Sequence, residues 1–151
     1  MTSTVQSSDG VSDSQLQELL RRAKTIAVVG LSPKADRPSY RVAAYLQKAG
    51  YRIIPIRPAN AAILGEACYA SLDDIPAEIT VDIVDVFRAA DETPAVAEAA
   101  VRLMAGKPNS AGLLWLQSGI VKEESMAIAR QAGLVAVQDL CLMVAHRRFL
   151  G

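Results

Sequence analysis

A doubly wound α/β domain with a mostly parallel sheet of about five strands is the fold this sequence predicts. Three observations predict it. Thr25-Ile-Ala-Val-Val29 and Gly112-Leu-Leu-Trp-Leu116 are apolar on both faces, as strands covered from both sides must be. Such runs alternate with stretches of helical periodicity along the whole chain. The first run ends on Gly30 and leads into a helix start near Ser39. That strand–turn–helix order builds an anion site, because the N–H groups of a helix start are unpaired and carry partial positive charge.

The elements follow from local chemistry. Residues 1–11 are rich in Ser, Thr, Asp, Gln and Gly and are expected to form a disordered tail, leaving 12–151 as one domain. Ser12-Asp-Ser-Gln15 fits a capping box, and Leu16, Leu19, Leu20 and Ala23 continue at helical spacing. After the first strand, a helix runs from about Ser39 to Ala49 and stops at Gly50. Tyr51-Arg-Ile-Ile-Pro-Ile56 is the second strand, which completes a right-handed βαβ unit. Residues 58–67 read as a loop, Cys68-Tyr69 as a short strand, and Ser71-Leu-Asp-Asp-Ile-Pro76 as one helical turn. Thr80-Val-Asp-Ile-Val-Asp-Val-Phe87 is the next strand, followed by a helix from near Pro94 to near Gly106. A helix over 123–132, a strand at Leu134-Val-Ala-Val137 and a helix over 141–149 close the domain.

The totals narrow the function. The chain has 151 residues, 51% of them hydrophobic, enough for one packed core. Its formal net charge is zero, it has no dense Lys/Arg cluster, and aromatics make up 5%, which disfavours nucleic acid as a partner. No apolar run reaches the ~18 residues of a membrane span, and no secretory signal is visible. A cytoplasmic protein with two free thiols, Cys68 and Cys141, is expected. One His and two scattered Cys are too few ligands for a zinc site.

Ligands of open parallel sheets bind beyond the carboxyl ends of the strands. The first such end carries Gly30, Ser32, Lys34, Arg37, Pro38, Ser39 and Tyr40. Gly30 supplies a tight turn that brings backbone near a phosphate, the two serines offer hydroxyls, and Lys34 and Arg37 would neutralise a pyrophosphate. The three-glycine dinucleotide fingerprint is absent, since only its first glycine is present. The second end carries Arg57 and Pro58. An NAD site needs an acidic residue about there, whereas Arg57 favours a phosphorylated ribose, which both NADP and coenzyme A carry. Phe87 and Arg88 could flank an adenine ring, and Gln117 and Gly119 complete the rim. Trp115 is assigned to the core, and Asp85, inside an apolar strand, needs a partner if buried. No nucleophile elbow, Walker loop or paired-carboxylate site is present, and a spacing of five puts Cys141 and His146 off a common helix face.

Several motifs together carry a family resemblance. Ile26-Ala-Val-Val-Gly30, Asp36-Arg-Pro-Ser-Tyr40, Gly50-Tyr51 with Ile54-Pro55, Leu64-Gly65, Val81-Asp-Ile-Val-Asp-Val-Phe-Arg88 and Trp115-Leu-Gln-Ser-Gly-Ile120 occur in order. With Asp139-Leu-Cys141 and His146-Arg147 they resemble the small bacterial CoA-binding proteins, stand-alone domains similar to the CoA-binding domain of the succinyl-CoA synthetase α subunit. The resemblance spans 16–150. It implies a Rossmann-like fold that binds coenzyme A without the three-glycine fingerprint, its pyrophosphate on residues 30–40 and its nucleotide end over Arg57, Pro58, Phe87 and Arg88; with the phosphate loop, Arg57 and no catalytic set in the sequence, a non-catalytic protein that binds coenzyme A or acyl-CoA is expected. The chain departs from the pattern at Arg57, where many relatives have Asn, and at Leu140 and Ala145; residues 107–110 lengthen a turn. Two other readings share these residues: an NADP-dependent oxidoreductase, and a regulator that links the CoA thiol to Cys141. Composition permits a homodimer without requiring one.

Overall fold

The computed structural model describes residues 11–59 and 61–151; of the tail expected over 1–11, residues 1–10 lie outside the described residues. Helix α1 spans Asp13–Arg22. Ser12 caps it, its hydroxyl accepting from the Gln15 N–H at 3.1 Å, so this half of the expected capping box is formed. Val11, assigned to the tail from the sequence, is buried in the same core cluster as Leu16.

The other elements are β1 (Thr25–Val29), α2 (Pro38–Lys48), β2 (Arg52–Ile56), β3 (Ala62–Ile63), β4 (Glu66–Ala67), β5 (Ile83–Val86), α3 (Thr93–Met104), β6 (Leu113–Leu116), α4 (Glu123–Gln131), β7 (Val135–Val137) and α5 (Leu142–Phe149). Short 3₁₀ turns occupy Leu72–Asp74 and Ala90–Glu92. Five strands form one sheet in the order β2-β1-β5-β6-β7, and every pairing is parallel.

Residues 58–67 are not wholly a loop. They contain the small antiparallel hairpin of β3 and β4, turning at Leu64 and Gly65, both with positive φ. Two-residue strands leave almost no periodicity to read. The expected strand at Cys68-Tyr69 is reduced to a single parallel bridge between Ile56 and Tyr69. Counting Tyr69 as a vestigial strand, the six run 3-2-1-4-5-6, the order of dinucleotide-binding sheets. The topological switch point then falls between β1 and β5.

Strand alternation sorts the core into two layers. Ile26 and Val28 of β1, Ile53, Ile83, Leu113, Trp115 and Val137 pack under α1, α2 and α5. Ala27, Val29, Ile54, Val84, Val86, Leu114 and Ala136 pack under α3 and α4. Trp115 is fully buried, as expected, and its Nε1–H donates to the Leu140 carbonyl at 2.7 Å.

At the amino edge of the sheet, Asp82 holds three chain segments together. Its Oδ2 accepts from the N–H groups of Lys24 (2.8 Å) and Thr25 (3.1 Å), and its Oδ1 accepts from Ala111 N–H (2.9 Å). A side chain that cannot accept leaves these donors without partners, two of them buried. Asp82→Ala is expected to cost roughly 3 kcal/mol in urea unfolding, with Asp82→Asn milder because one acceptor oxygen remains.

Candidate functional site

The loop after β1 is shaped by its own backbone contacts. Gly30 has φ +83°, and a Cβ placed there would lie 2.3 Å from the Phe87 carbonyl oxygen. The glycine therefore serves the close passage of two strand exits as much as access to a ligand. The Ser39 hydroxyl accepts from Ser32 N–H at 3.0 Å, and the Ser32 hydroxyl accepts from Lys34 N–H at 3.1 Å. Both serines thus brace the loop, each keeping its hydroxyl proton to donate. Arg37 occupies the N-cap position of α2 with no side-chain cap, and Pro38 follows, a residue suited to a first helical turn. Arg41 steadies the loop from below by donating to the Asp36 carbonyl at 2.6 Å.

These residues enclose a hollow of about 400 Å³ at the carboxyl edge of the sheet, lined by Gly30, Ser32, Lys34, Arg37, Pro38, Ser39, Arg57 and Phe87. Every one of the eight is a residue the sequence singles out. Three cations line it and no carboxylate does. Arg57 leans over it, Nη1 donating to the Leu31 carbonyl at 3.4 Å, while its backbone N–H is tied to Tyr69. A concave site with three full positive charges and the start of α2 beside them attracts a compact polyanion.

The remaining predicted residues lie elsewhere. Pro58 and Arg88 line a second hollow of about 490 Å³, with Val29, Ile56, Leu72, Val96 and Ala99 among its walls. Its charges are paired: Arg88 with Glu92, and Arg102 with Asp73 at 2.9 Å. Tyr40 is half-buried against the core. Gln117 is buried, with its Nε2–H donating to Asp85 Oδ1 at 2.7 Å, so it answers the question of what partners Asp85. Gly119 N–H donates to Asp139 Oδ1 at 2.7 Å. Neither Gln117 nor Gly119 borders the two hollows. Position along a strand end signals both, but the sequence carries no sign that the Asp85 carboxyl takes the glutamine amide.

Asp85 is fully buried and its Oδ2 has no hydrogen-bond partner. Burial drives its pKa up to about 7, against the opposing pull of the Gln117 hydrogen bond. His146 is kept below its ordinary pKa by burial, and its Nδ1 is 2.9 Å from the Tyr45 hydroxyl. That ring stands edge-on to Tyr45 and Tyr51. Cys141 sits at the N-cap of α5, half-buried. Among the described residues, no cluster of His, Cys, Asp and Glu could hold a metal ion. No described helix is long and apolar enough to cross a membrane.

A hollow of about 730 Å³ opens at the opposite, amino edge, lined by Arg22, Lys24, Arg52, Glu78 and Asp82 among others. It is larger than the loop hollow, but its cations share the walls with two carboxylates, and it lies away from the edge where parallel sheets bind ligands.

Comparison with known proteins places the chain in a family. The CoA binding domain family model matches residues 24–147. The chain belongs to that family. It is similar to the protein YneT of Bacillus subtilis (strain 168), 40% identical over 135 residues that cover 89% of this chain and 94% of that one. Among solved structures, cell-free ID.343 from Thermus thermophilus is 38% identical with a TM-score of 0.82, covering 92% of this chain and 99% of that chain. A hypothetical protein from Pyrococcus horikoshii OT3 is 36% identical with a TM-score of 0.84, covering 95% of each chain. The CoA-binding family and the Rossmann-like fold expected from the motifs are both confirmed.

Two substitutions probe this edge. Gly30→Ala forces a Cβ against the Phe87 carbonyl in a left-handed conformation, and is expected to cost more than about 2 kcal/mol in denaturant unfolding. For Asp85 the folded pKa is raised, so the native state holds a proton that the unfolded chain releases near pH 4. Its contribution to stability is present below pH 4 and is lost as pH rises to about 7. Asp85→Asn, which mimics the neutral acid, should flatten that slope in thermal melts taken from pH 4 to 8.

Proposed function

We propose that this chain is a coenzyme A or acyl-CoA binding protein with no catalysis of its own, and that the loop after β1 holds the pyrophosphate. The observation that carries this reading is the loop hollow, with Lys34, Arg37 and Arg57 on its walls and no carboxylate, in a chain of the CoA binding domain family. The diphosphate bridge meets Lys34, Arg37 and the Ser32 and Ser39 hydroxyls at the start of α2. Arg57, on the adjoining strand end, takes the ribose phosphate. The base turns toward the neighbouring hollow, whose apolar walls and already paired charges suit an uncharged aromatic ring. A phosphorylated ribose is favoured because the end of β2 carries Arg57 and no acidic residue that would repel the phosphate.

Calorimetric titration with CoA, dephospho-CoA and NADP tests this. CoA is expected to bind about tenfold or more tightly than dephospho-CoA, the worth of one charge-assisted phosphate contact. Arg57→Gln is expected to remove most of that difference while leaving dephospho-CoA binding nearly unchanged. Absence of heat and of any thermal shift at millimolar CoA would overturn the reading. NADPH binding tighter than CoA would replace it with a dinucleotide-dependent oxidoreductase.

A further inference from the structure

Most of the chain's cations are occupied by the protein itself. Arg21, Arg88, Arg102, Lys122 and Arg148 pair with carboxylates. Arg41, Arg57, Lys107 and Arg130 donate to backbone carbonyls, and Arg147 lies over the Tyr45 ring. Among the described residues, this leaves Arg22, Lys24, Lys34, Arg37, Lys48 and Arg52 with side chains that meet no protein partner. Lys48 apart, these fall in two places. Lys34 and Arg37 line the loop hollow. Arg22, Lys24 and Arg52 line the hollow of about 730 Å³ at the opposite, amino edge of the sheet.

The backbone holds the second set together. Lys24 lies between α1 and β1, and Arg52 opens β2, its N–H donating to the Lys24 carbonyl at 2.8 Å. Arg22 is in the last turn of α1, where a cation also suits the helix dipole. Lys24 and Arg52 lie outside any helix and have no such reason. Like charges on adjoining backbones repel, so packing alone gives no cause to gather them. Two carboxylates share the walls, but Asp82 is 6% exposed and both its oxygens already accept from backbone N–H groups. Glu78 is exposed and forms no ion pair among the described residues. Another wall is a fixed turn: Pro108 and Asn109 belong to the lengthened segment before β6, which Ser110 pins by donating to the Val81 carbonyl at 2.6 Å. Ile79 and Pro108 make part of the hollow apolar, and the Thr80 and Asn109 side chains line it without a protein partner.

We propose that the amino-edge hollow is a second ligand site, for a small organic phosphate. Arg22, Lys24 and Arg52 hold the phosphate, the two guanidinium forks matching its oxygens. The hollow has room beyond one phosphate group for a hydroxyl-bearing body, whose hydroxyls meet Thr80, Asn109 and Glu78. Glu78 accepts from such hydroxyls and repels a bare phosphate, so it selects the organic ligand over the free ion. The site shares no wall residue with the loop hollow, so the two can be filled together, and it does not rest on the CoA reading.

Amide NMR titration reads the two hollows separately. With ribose 5-phosphate as the probe, the Thr25, Thr80 and Asn109 signals are expected to shift and saturate with a dissociation constant of about 1 mM. The double variant Arg22→Gln/Arg52→Gln is expected to weaken this about tenfold, with an unchanged thermal melt because neither side chain has a protein partner. Inorganic phosphate is expected to bind about threefold or more weakly than ribose 5-phosphate. Shifts that never saturate, or that saturate equally in the double variant, overturn the site. Inorganic phosphate binding as tightly as the sugar phosphate overturns the organic ligand. Saturation by a polyglutamate peptide, with no response to either phosphate, overturns the proposal in favour of an acidic protein segment. Signals from residues 32–39 report the loop hollow, so failure of CoA to bind there leaves the amino-edge result standing.

Discussion

The exits of β1 and β5 pass each other at a distance that only glycine permits. Gly30, at φ +83°, sits where any side chain would meet the Phe87 carbonyl. This contact is the floor of the switch point. It sets where the following loop departs, where α2 begins, and which side chains of the second strand end can lean across. Arg57 reaches the Leu31 carbonyl because that loop turns back over β1 and not away from it. The cation-lined hollow is thus a consequence of how closely two parallel strands part.

Two aspartates three residues apart show how position decides the work of a carboxylate. Asp82, just before β5, meets three backbone donors and is saturated. Asp85, inside the strand, meets one amide and an apolar layer. The first ties the amino edge of the sheet together through hydrogen bonds that water would otherwise supply. The second sits at the other end, where burial pushes its pKa up to about 7.

Much of this was legible in the sequence. Strands apolar on both faces, helical spacing and glycine stops located β1, α2, β2, β6 and α4 to within a residue or two, because each signal is local. The loop hollow was legible for the same reason: most of its walls come from one segment of ten residues. What escaped was non-local or too short to repeat. The β3–β4 hairpin has two residues per strand, and Gln117 looks like any polar residue at a strand end until the sheet brings it to Asp85. The division of the nucleotide-end residues between two hollows depends on which way side chains turn at Phe87 and Arg88, which alternation alone leaves open at a strand's last residues.

The single bridge between Ile56 and Tyr69 has a further meaning. The backbone of Arg57 is fixed by its N–H to the Tyr69 carbonyl, and Tyr69 N–H donates back to Pro55, so the chain's course there is independent of the side chain at 57. That side chain is held by a long hydrogen bond to the Leu31 carbonyl at 3.4 Å. The position is therefore a socket: its occupant can be exchanged among polar residues without disturbing the sheet. Under the proposed role of Arg57, a change of ligand preference needs one codon and no refolding, while the neighbouring Gly30 has no such freedom.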